Sequence, residues 1–321
     1  MQSKALLVGI NNYPESPLRG CINDAIAVEE LLSRNHDESP NFFCRRIISG
    51  HVKVTLPELR QRVNELFKDD ADRVLFYFSG HGYENNLGGY LVTEDAKKYV
   101  EGMPLSELIT IANTALRSKR IREVILILDC CHAGYLGSIT GFDHMQAVLM
   151  PGLSILTSSS PSQYSVETAK GGLFTSILCE GLRGGAADIL GRVTVAGLYN
   201  YLDQMLNPWQ QRPQFKTYAE KMHVLRIGKA RVSPSELKQI TNLFLGTSHK
   251  LRMDKSWEYT ESEAKKENVE KFNQLKKLRD AGLVTVPEPW NDLYWAAMKN
   301  GYAELTLSGQ LYWKLVDKGM I

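Results

Sequence analysis

The sequence predicts an α/β fold, a mainly parallel sheet flanked by helices over roughly residues 4–228, followed by a smaller, mainly helical domain. Three observations carry this. Runs of apolar β-formers alternate with segments of helical spacing through the first 230 residues, the pattern of strand–helix–strand crossovers. Two of the runs, 73–78 and 124–128, lead directly into small and chemically active residues, as where buried strands end at the edge of a parallel sheet. After Gly228 the composition changes, and the chain divides into 1–229 and 230–321.

Taken in order, residues 4–10 read as the first strand. Residues 22–34 read as a helix, because Ala25, Ile26, Val28, Leu31 and Leu32 recur at helical spacing. Residues 42–49 form the second strand. Thr55-Leu56-Pro57-Glu58 is a capping box with Pro inside the first turn, opening a helix to Lys68. Strands follow at 73–79, 123–129, 153–158 and 222–227, and helices at 104–118, 172–183 and 194–206. Beyond these, Ser233-Pro234-Ser235-Glu236 marks a helix start, and 261–280 is a highly charged helical stretch.

The bulk properties bound the function. With 321 residues, 43% hydrophobic and 23% charged, the chain has ample material for a core. Its net charge of +2 gives no case for polyanion binding, and neither domain departs far from neutrality, so nucleic acid is not an expected partner. No apolar run of about 18 residues predicts a membrane span, and the N-terminus lacks the pattern of a signal peptide. The five cysteines are odd in number and irregularly spaced, which suggests reduced thiols in the cytoplasm and no metal-ligand pattern.

The chemistry lies in Ser79-Gly80-His81-Gly82 and Asp129-Cys130-Cys131-His132-Ala133-Gly134. A histidine and a cysteine at the C-terminal ends of two buried strands can face each other across the top of a parallel sheet. A thiolate needs a base and oxyanion donors to attack a carbonyl, and this layout supplies both, so the pair reads as a cysteine peptidase dyad. Consecutive strand residues point to opposite faces, so only one of Cys130 and Cys131 can face the cleft. The side chain of His132 diverges from its neighbour Cys131, which gives it a structural role.

These motifs, with Ala5-Leu6-Leu7-Val8-Gly9-Ile10-Asn11-Asn12-Tyr13, Gly20-Cys21-Ile22-Asn23-Asp24-Ala25 and Thr157-Ser158-Ser159-Ser160-Pro161-Ser162-Gln163-Tyr164, resemble the caspase-like peptidases, most closely the metacaspase and prokaryotic orthocaspase branch. Ala133 replaces the usual Ser of that branch. The resemblance covers residues 4 to 228. It implies Cys131 as nucleophile, His81 as general base, and the N–H groups of Gly82 and Cys131 as oxyanion donors. It further implies that Asp24, Ser79 and Asp129 line an S1 pocket for a P1 Arg or Lys. The alternatives are a helix N-cap for Asp24 and a strand-end turn anchor for Asp129. Tyr164, Ser165 and Glu167 either line the cleft or belong to a plain polar loop. No cofactor is certain. Calcium, which many relatives need, would call on acidic residues between the motifs. Here Glu94 and Asp95 are present, but residues 103–122 contain only Glu107, and Glu123 lies just beyond, so the site looks incomplete, and Glu94-Asp95 also reads as a solvated turn.

The expected function is a cytoplasmic endopeptidase acting on protein or peptide substrates after Arg or Lys, in a prokaryotic cell-death or defence pathway. Alternatives are a caspase-fold scaffold that binds a partner, an Asp-specific protease, and a DNA-binding regulator. Residues 230–321 are expected to regulate access or bind a partner protein. They read as a winged-helix-like domain, from the pair 278–284 and 305–311, or as a helical appendage. No Lys or Arg occurs from Glu123 to Ala169, so an acidic S1 pocket predicts an enzyme that works without cutting itself there.

Overall fold

The computed structural model describes residues 2–85, 88–97, 102–130, 149–158, 167–168, 171–206, 212–219 and 222–321. They fall into two compact units, 1–187 with 192–229, and 188–191 with 230–321.

The first unit contains strands β1 (Ser3–Gly9), β2 (Phe43–Ile48), β3 (Ala71–Ser79), β4 (Ile121–Asp129), β5 (Leu153–Thr157) and β6 (Gln214–Tyr218) in one sheet. Its order is β6-β5-β4-β3-β1-β2; β1 to β5 run parallel and β6 is antiparallel to β5. The helices are α1 (Cys21–Ser33), α2 (Leu56–Lys68), α3 (Leu105–Arg117), α4 (Leu173–Glu180) and α5 (Val195–Leu206). Period-two alternation divides the strands between two cores. Leu6, Val8, Val74, Phe76, Phe78, Val124, Leu126 and Leu128 pack with Leu59 and Val63 of α2 and Leu108 and Ala112 of α3. Ala5, Leu7, Leu75, Tyr77, Ile125 and Ile127 pack with Val28 of α1, Phe174 and Leu178 of α4 and Leu198 of α5. Burial on both faces explains why these strands read as unbroken apolar runs.

The parallel register aligns Gly9 with Ser79 and Ser79 with Asp129, so three strand ends meet at one edge of the sheet. Just beyond that edge a hairpin of Gly82–Asn85 and Gly88–Leu91 follows β3. At the start of α2 the capping box is half made. Thr55 accepts from the Glu58 N–H at 3.4 Å, but the Glu58 carboxylate pairs one turn on with Arg62 at 2.8 Å.

The sequence misplaces the last strand. Residues 214–218 form the sheet edge, whereas within 222–227 only Arg226–Ile227 pairs, with Arg192–Val193. The carbonyls of that stretch take side-chain donors instead, Arg73 on Val224 and Asn41 on Leu225. As a half-covered edge, β6 carries no continuous apolar run to announce it. The helix read as 172–183 ends at Glu180 and passes into a π turn over Gly181–Gly185, where Gly184 takes φ 139°.

The second unit opens at Ser233 with a full capping box, Ser233 accepting from the Glu236 N–H and Glu236 from the Ser233 N–H. A three-stranded antiparallel sheet places Tyr302–Leu305 between Leu251–Arg252 and Val284–Thr285. Phe244, Trp257, Phe272, Leu275, Leu278 and Leu293 fill its core. On the helix Lys266–Asp280, Lys271 pairs with Glu267, Lys277 with Glu236 and Arg279 with Asp280 and Asp292. Among the described residues no helix is long and apolar enough to cross a membrane.

Candidate active site

His81 stands two residues beyond the end of β3, at the edge where the strands finish. Its Nε2 lies 2.7 Å from the carbonyl oxygen of Ser16. A carbonyl only accepts, so Nε2 carries the proton and the lone pair sits on Nδ1. The ring of Tyr13 packs on the imidazole with centroids 4.5 Å apart. A β-carbon on Gly80 would lie 2.4 Å from the Tyr13 hydroxyl oxygen and 2.9 Å from the Phe78 ring. The glycine before His81 therefore makes room for Tyr13, a tighter demand than a turn alone. Gly82 opens the hairpin, paired with Leu91. A cleft of about 640 Å³ runs beside His81 between Tyr13, Ser16, Tyr83 and Val92.

Of the two cysteines, Cys130 is described. Cys130 is 2% exposed and belongs to the core under α2 and α3. A thiol packed there cannot reach a substrate at the sheet edge. Cys131 and His132 lie outside the described residues, as do Tyr164 and Ser165. Of Glu167 only the strand pairing with Gly172 is described.

Asp24, Ser79 and Asp129 come together on the α1/α4 side of the same edge, all buried. The Ser79 hydroxyl donates to Asp24 Oδ2 at 3.0 Å, and the Gly172 N–H donates to both Asp24 oxygens at 3.1 and 3.2 Å. The Thr175 hydroxyl donates to Asp129 Oδ2 at 2.7 Å, with the Tyr77 hydroxyl 2.6 Å behind it. The two carboxylates converge on Gly172. A β-carbon there would meet Asp129 Oδ2 at 2.6 Å and Asp24 Oδ2 at 3.3 Å. Gly171, at φ 148°, is also confined, because its β-carbon would lie 2.3 Å from Asp24 Oδ1. Asp24 is not a helix cap. The helix begins at Cys21, and the Asn11 side chain accepts from the Ile22 N–H at its start.

Glu94 is likewise not in a solvated turn. It is 5% exposed, its carboxylate takes the Ser49 hydroxyl and the Val54 N–H, and Asp95 takes the Leu56 N–H and the Thr93 hydroxyl. These acids fasten the 49–56 loop, so their donor capacity is directed inward and does not fit a calcium ion. Among the described residues no group of three or more His, Cys, Asp or Glu side chains could hold a metal.

Sequence reasoning missed Tyr13, Ser16, Tyr77, Gly171, Gly172 and Thr175 as parts of this edge. The Gly-Gly doublet before α4 was the one local signal, since paired glycines mark close approach.

Comparison with known proteins agrees with this architecture. The model of the caspase domain family matches residues 2–224. Caspase-1 from Spodoptera frugiperda superposes with a TM-score of 0.53 at 14% identity, over 71% of this chain and 91% of that chain. A protein from Geobacter sulfurreducens superposes with a TM-score of 0.52 at 14% identity, over 72% and 98%. No curated protein sequence matches.

Proposed function

Because the chain belongs to the caspase-domain family, a family with cysteine protease-like function, we propose that it is an endopeptidase cleaving after Arg or Lys, with Cys131 as nucleophile and His81 as base. The observation that carries the reading is the arrangement at the sheet edge, where an imidazole held through Nε2 by Ser16 and a buried pair of carboxylates both stand at the edge where β3 and β4 end. His81 follows β3 and Asp129 ends β4, while Asp24 reaches the same edge from α1.

The chemistry follows from that arrangement. The Cys131 thiol gives its proton to His81 Nδ1, and the thiolate attacks the carbonyl carbon of the scissile bond. The N–H groups of Gly82 and Cys131 stabilise the oxyanion. His81 returns the proton to the leaving amine, leaving a thioester, and then activates water to release the acid. Asp24 and Asp129 receive the P1 cation. Two carboxylates crowded at one point repel when both are charged, and a cation arriving between them relieves that repulsion. An Arg can also pair bidentately.

Asp-Cys-Cys-His-Ala-Gly and the acid pair support the metacaspase and orthocaspase branch, and with it a cell-death or defence role. The order of helices and the small antiparallel sheet in 230–321 support a winged-helix-like partner-binding domain, and the paired charges on Lys266–Asp280 speak for a protein partner over nucleic acid. The absence of Lys and Arg from Glu123 to Ala169 supports activity as an unbroken chain.

The test is turnover of fluorogenic peptides carrying Arg, Lys or Asp at P1. Arg and Lys peptides should be cut, and Cys131→Ala should abolish cutting. Preference for Asp would overturn the pocket, and activity without Cys131 would overturn the nucleophile.

A further inference from the structure

The hairpin after β3 pairs Gly82 with Leu91, so the next opposed pair outward is His81 with Val92. In an antiparallel ladder such a pair exchanges two main-chain hydrogen bonds. Here one is made directly, from the Val92 N–H to the His81 carbonyl at 3.0 Å. The other is interrupted. The Tyr13 hydroxyl stands between the two groups, accepting from the His81 N–H at 2.9 Å and donating to the Val92 carbonyl at 3.2 Å.

We propose that Tyr13 is the positioning residue of the reaction, its hydroxyl wedged into this ladder so as to fix where the His81 main chain, and hence Nδ1, lies. The inference rests on the peptidase reading above, and adds to it a residue that acts through His81.

Four features agree with that role. The direction of both bonds is forced, because an N–H only donates and a carbonyl only accepts. Burial holds the phenol well above its ordinary range, so it keeps its proton for Val92 at working pH. The ring, 6% exposed, is anchored in the α2/α3 core and packs on the imidazole as well. Gly80 has no side chain where a β-carbon would press on the Tyr13 oxygen at 2.4 Å. Ring, hydroxyl and glycine thus define one position for His81, and the Ser16 carbonyl sets the ring's rotation from the other side.

Tyr13→Phe keeps the ring and removes the wedge. The His81 N–H and the Val92 carbonyl then either stay unpaired or close on each other, and both outcomes shift His81. Misplacing a catalytic group by about 1 Å can cost on the order of 100-fold. In the full-length protein, Tyr13→Phe is therefore expected to lower kcat by roughly 10- to 100-fold on a short P1-Arg peptide with a fluorogenic leaving group. KM should stay within about twofold, because Tyr13 is given no contact with the P1 side chain. A structural defect alone would lower the melting temperature without this split at temperatures where the variant is folded. Unchanged kcat in folded Tyr13→Phe would overturn the proposal. If that variant fails to fold, Gly80→Ala takes its place, since it presses on the same hydroxyl. It should lower kcat in the same way, and wild-type kcat in it would overturn the proposal equally. Wild-type and Cys131→Ala controls run alongside keep the two claims apart: turnover surviving Cys131→Ala defeats the peptidase reading and this inference together, whereas normal kcat without the Tyr13 hydroxyl defeats this inference alone.

Discussion

Strand β4 carries a buried acid near each end, and the two are treated in opposite ways. At its C-terminal end Asp129 receives a hydroxyl from Thr175, with Asp24 alongside taking a hydroxyl from Ser79 and an N–H from Gly172. At its N-terminal end Glu123 lies opposite Arg73 in the register, 2% exposed. Burial pushes Glu123 up to about 7, and the Arg73 charge and a His223 peptide N–H pull it only part of the way back. Both residues sit on the same strand and the same face of the sheet. The difference lies in the donors that the surroundings provide. Hydrogen-bond donors aim at both carboxylates at the first end, whereas burial favours the neutral acid at Glu123. The proposed pocket for a P1 cation calls for the first arrangement.

The largest effect should come from breaking the Asp129 end. Asp129→Ala is expected to lower kcat/KM for a P1-Arg peptide by 2–5 kcal/mol, roughly 30- to several-thousand-fold, because a buried cation would lose its partner. Asp129→Asn keeps the shape and an acceptor for Thr175 while removing the charge, so it should retain most of the loss. Steady-state kinetics on both variants, with circular dichroism to confirm folding, decide the matter. Near-normal kcat/KM in Asp129→Asn would mean that Asp129 acts as a turn anchor.

Much of this contrast is legible in the amino-acid sequence, and part is not. The inner strands were legible because burial on both faces writes them as apolar runs, and the His and Cys motifs were legible because small residues crowd the strand ends. β6 was not, since an edge strand needs only one covered face. Glu94 looked like a surface turn because its partners, Ser49 and Val54, lie some forty positions away in the sequence. Asp24, Ser79 and Asp129 could be named as a set only through a resemblance, for their meeting depends on register. Tyr13 and Thr175 act through contacts across the sheet edge that no local pattern encodes, and the Gly171-Gly172 doublet signals a close approach without naming what approaches.

Glu123 offers the second test, on stability. Its folded value, about 7, lies above its ordinary 4.5. Below pH 4.5 the acid is protonated in both states and costs nothing. Between 4.5 and 7 the unfolded chain releases the proton while the folded one keeps it, so stability falls as pH rises, by on the order of 3 kcal/mol in all, and is flat above 7. Glu123→Gln should remove that slope and be more stable than wild type at pH 8. Urea unfolding at pH 5 and pH 8 measures it. An identical slope in the variant would show that Glu123 is solvated. Arg selectivity at P1 should be untouched, in contrast to Asp129.

The smallest effect is the most pointed, because it alters the donors and leaves both acids in place. The Thr175 hydroxyl has one proton and gives it to Asp129, since a carboxylate only accepts. The Tyr77 hydroxyl must then be the donor of the 2.6 Å bond to Thr175. Burial, with the charges of Asp24 and Asp129 nearby, raises Tyr77 well above its ordinary range, so that proton is secure. The chain of two hydroxyls thus points its dipoles at the carboxylate. Thr175→Val preserves the volume and removes the link, leaving Asp129 to meet a P1 cation without its oriented donor. A hydrogen bond to a charged group contributes about 1.5–3 kcal/mol, but a bound Arg would compensate for part of it. The expected outcome is a fall of roughly fivefold to twentyfold in discrimination between P1-Arg and its neutral isostere citrulline, corresponding to about 1–2 kcal/mol. Kinetics on the paired peptides give the ratio directly. Unchanged discrimination would mean that the carboxylates hold their places without help from α4, and that the difference between the two ends of β4 lies in charge placement alone.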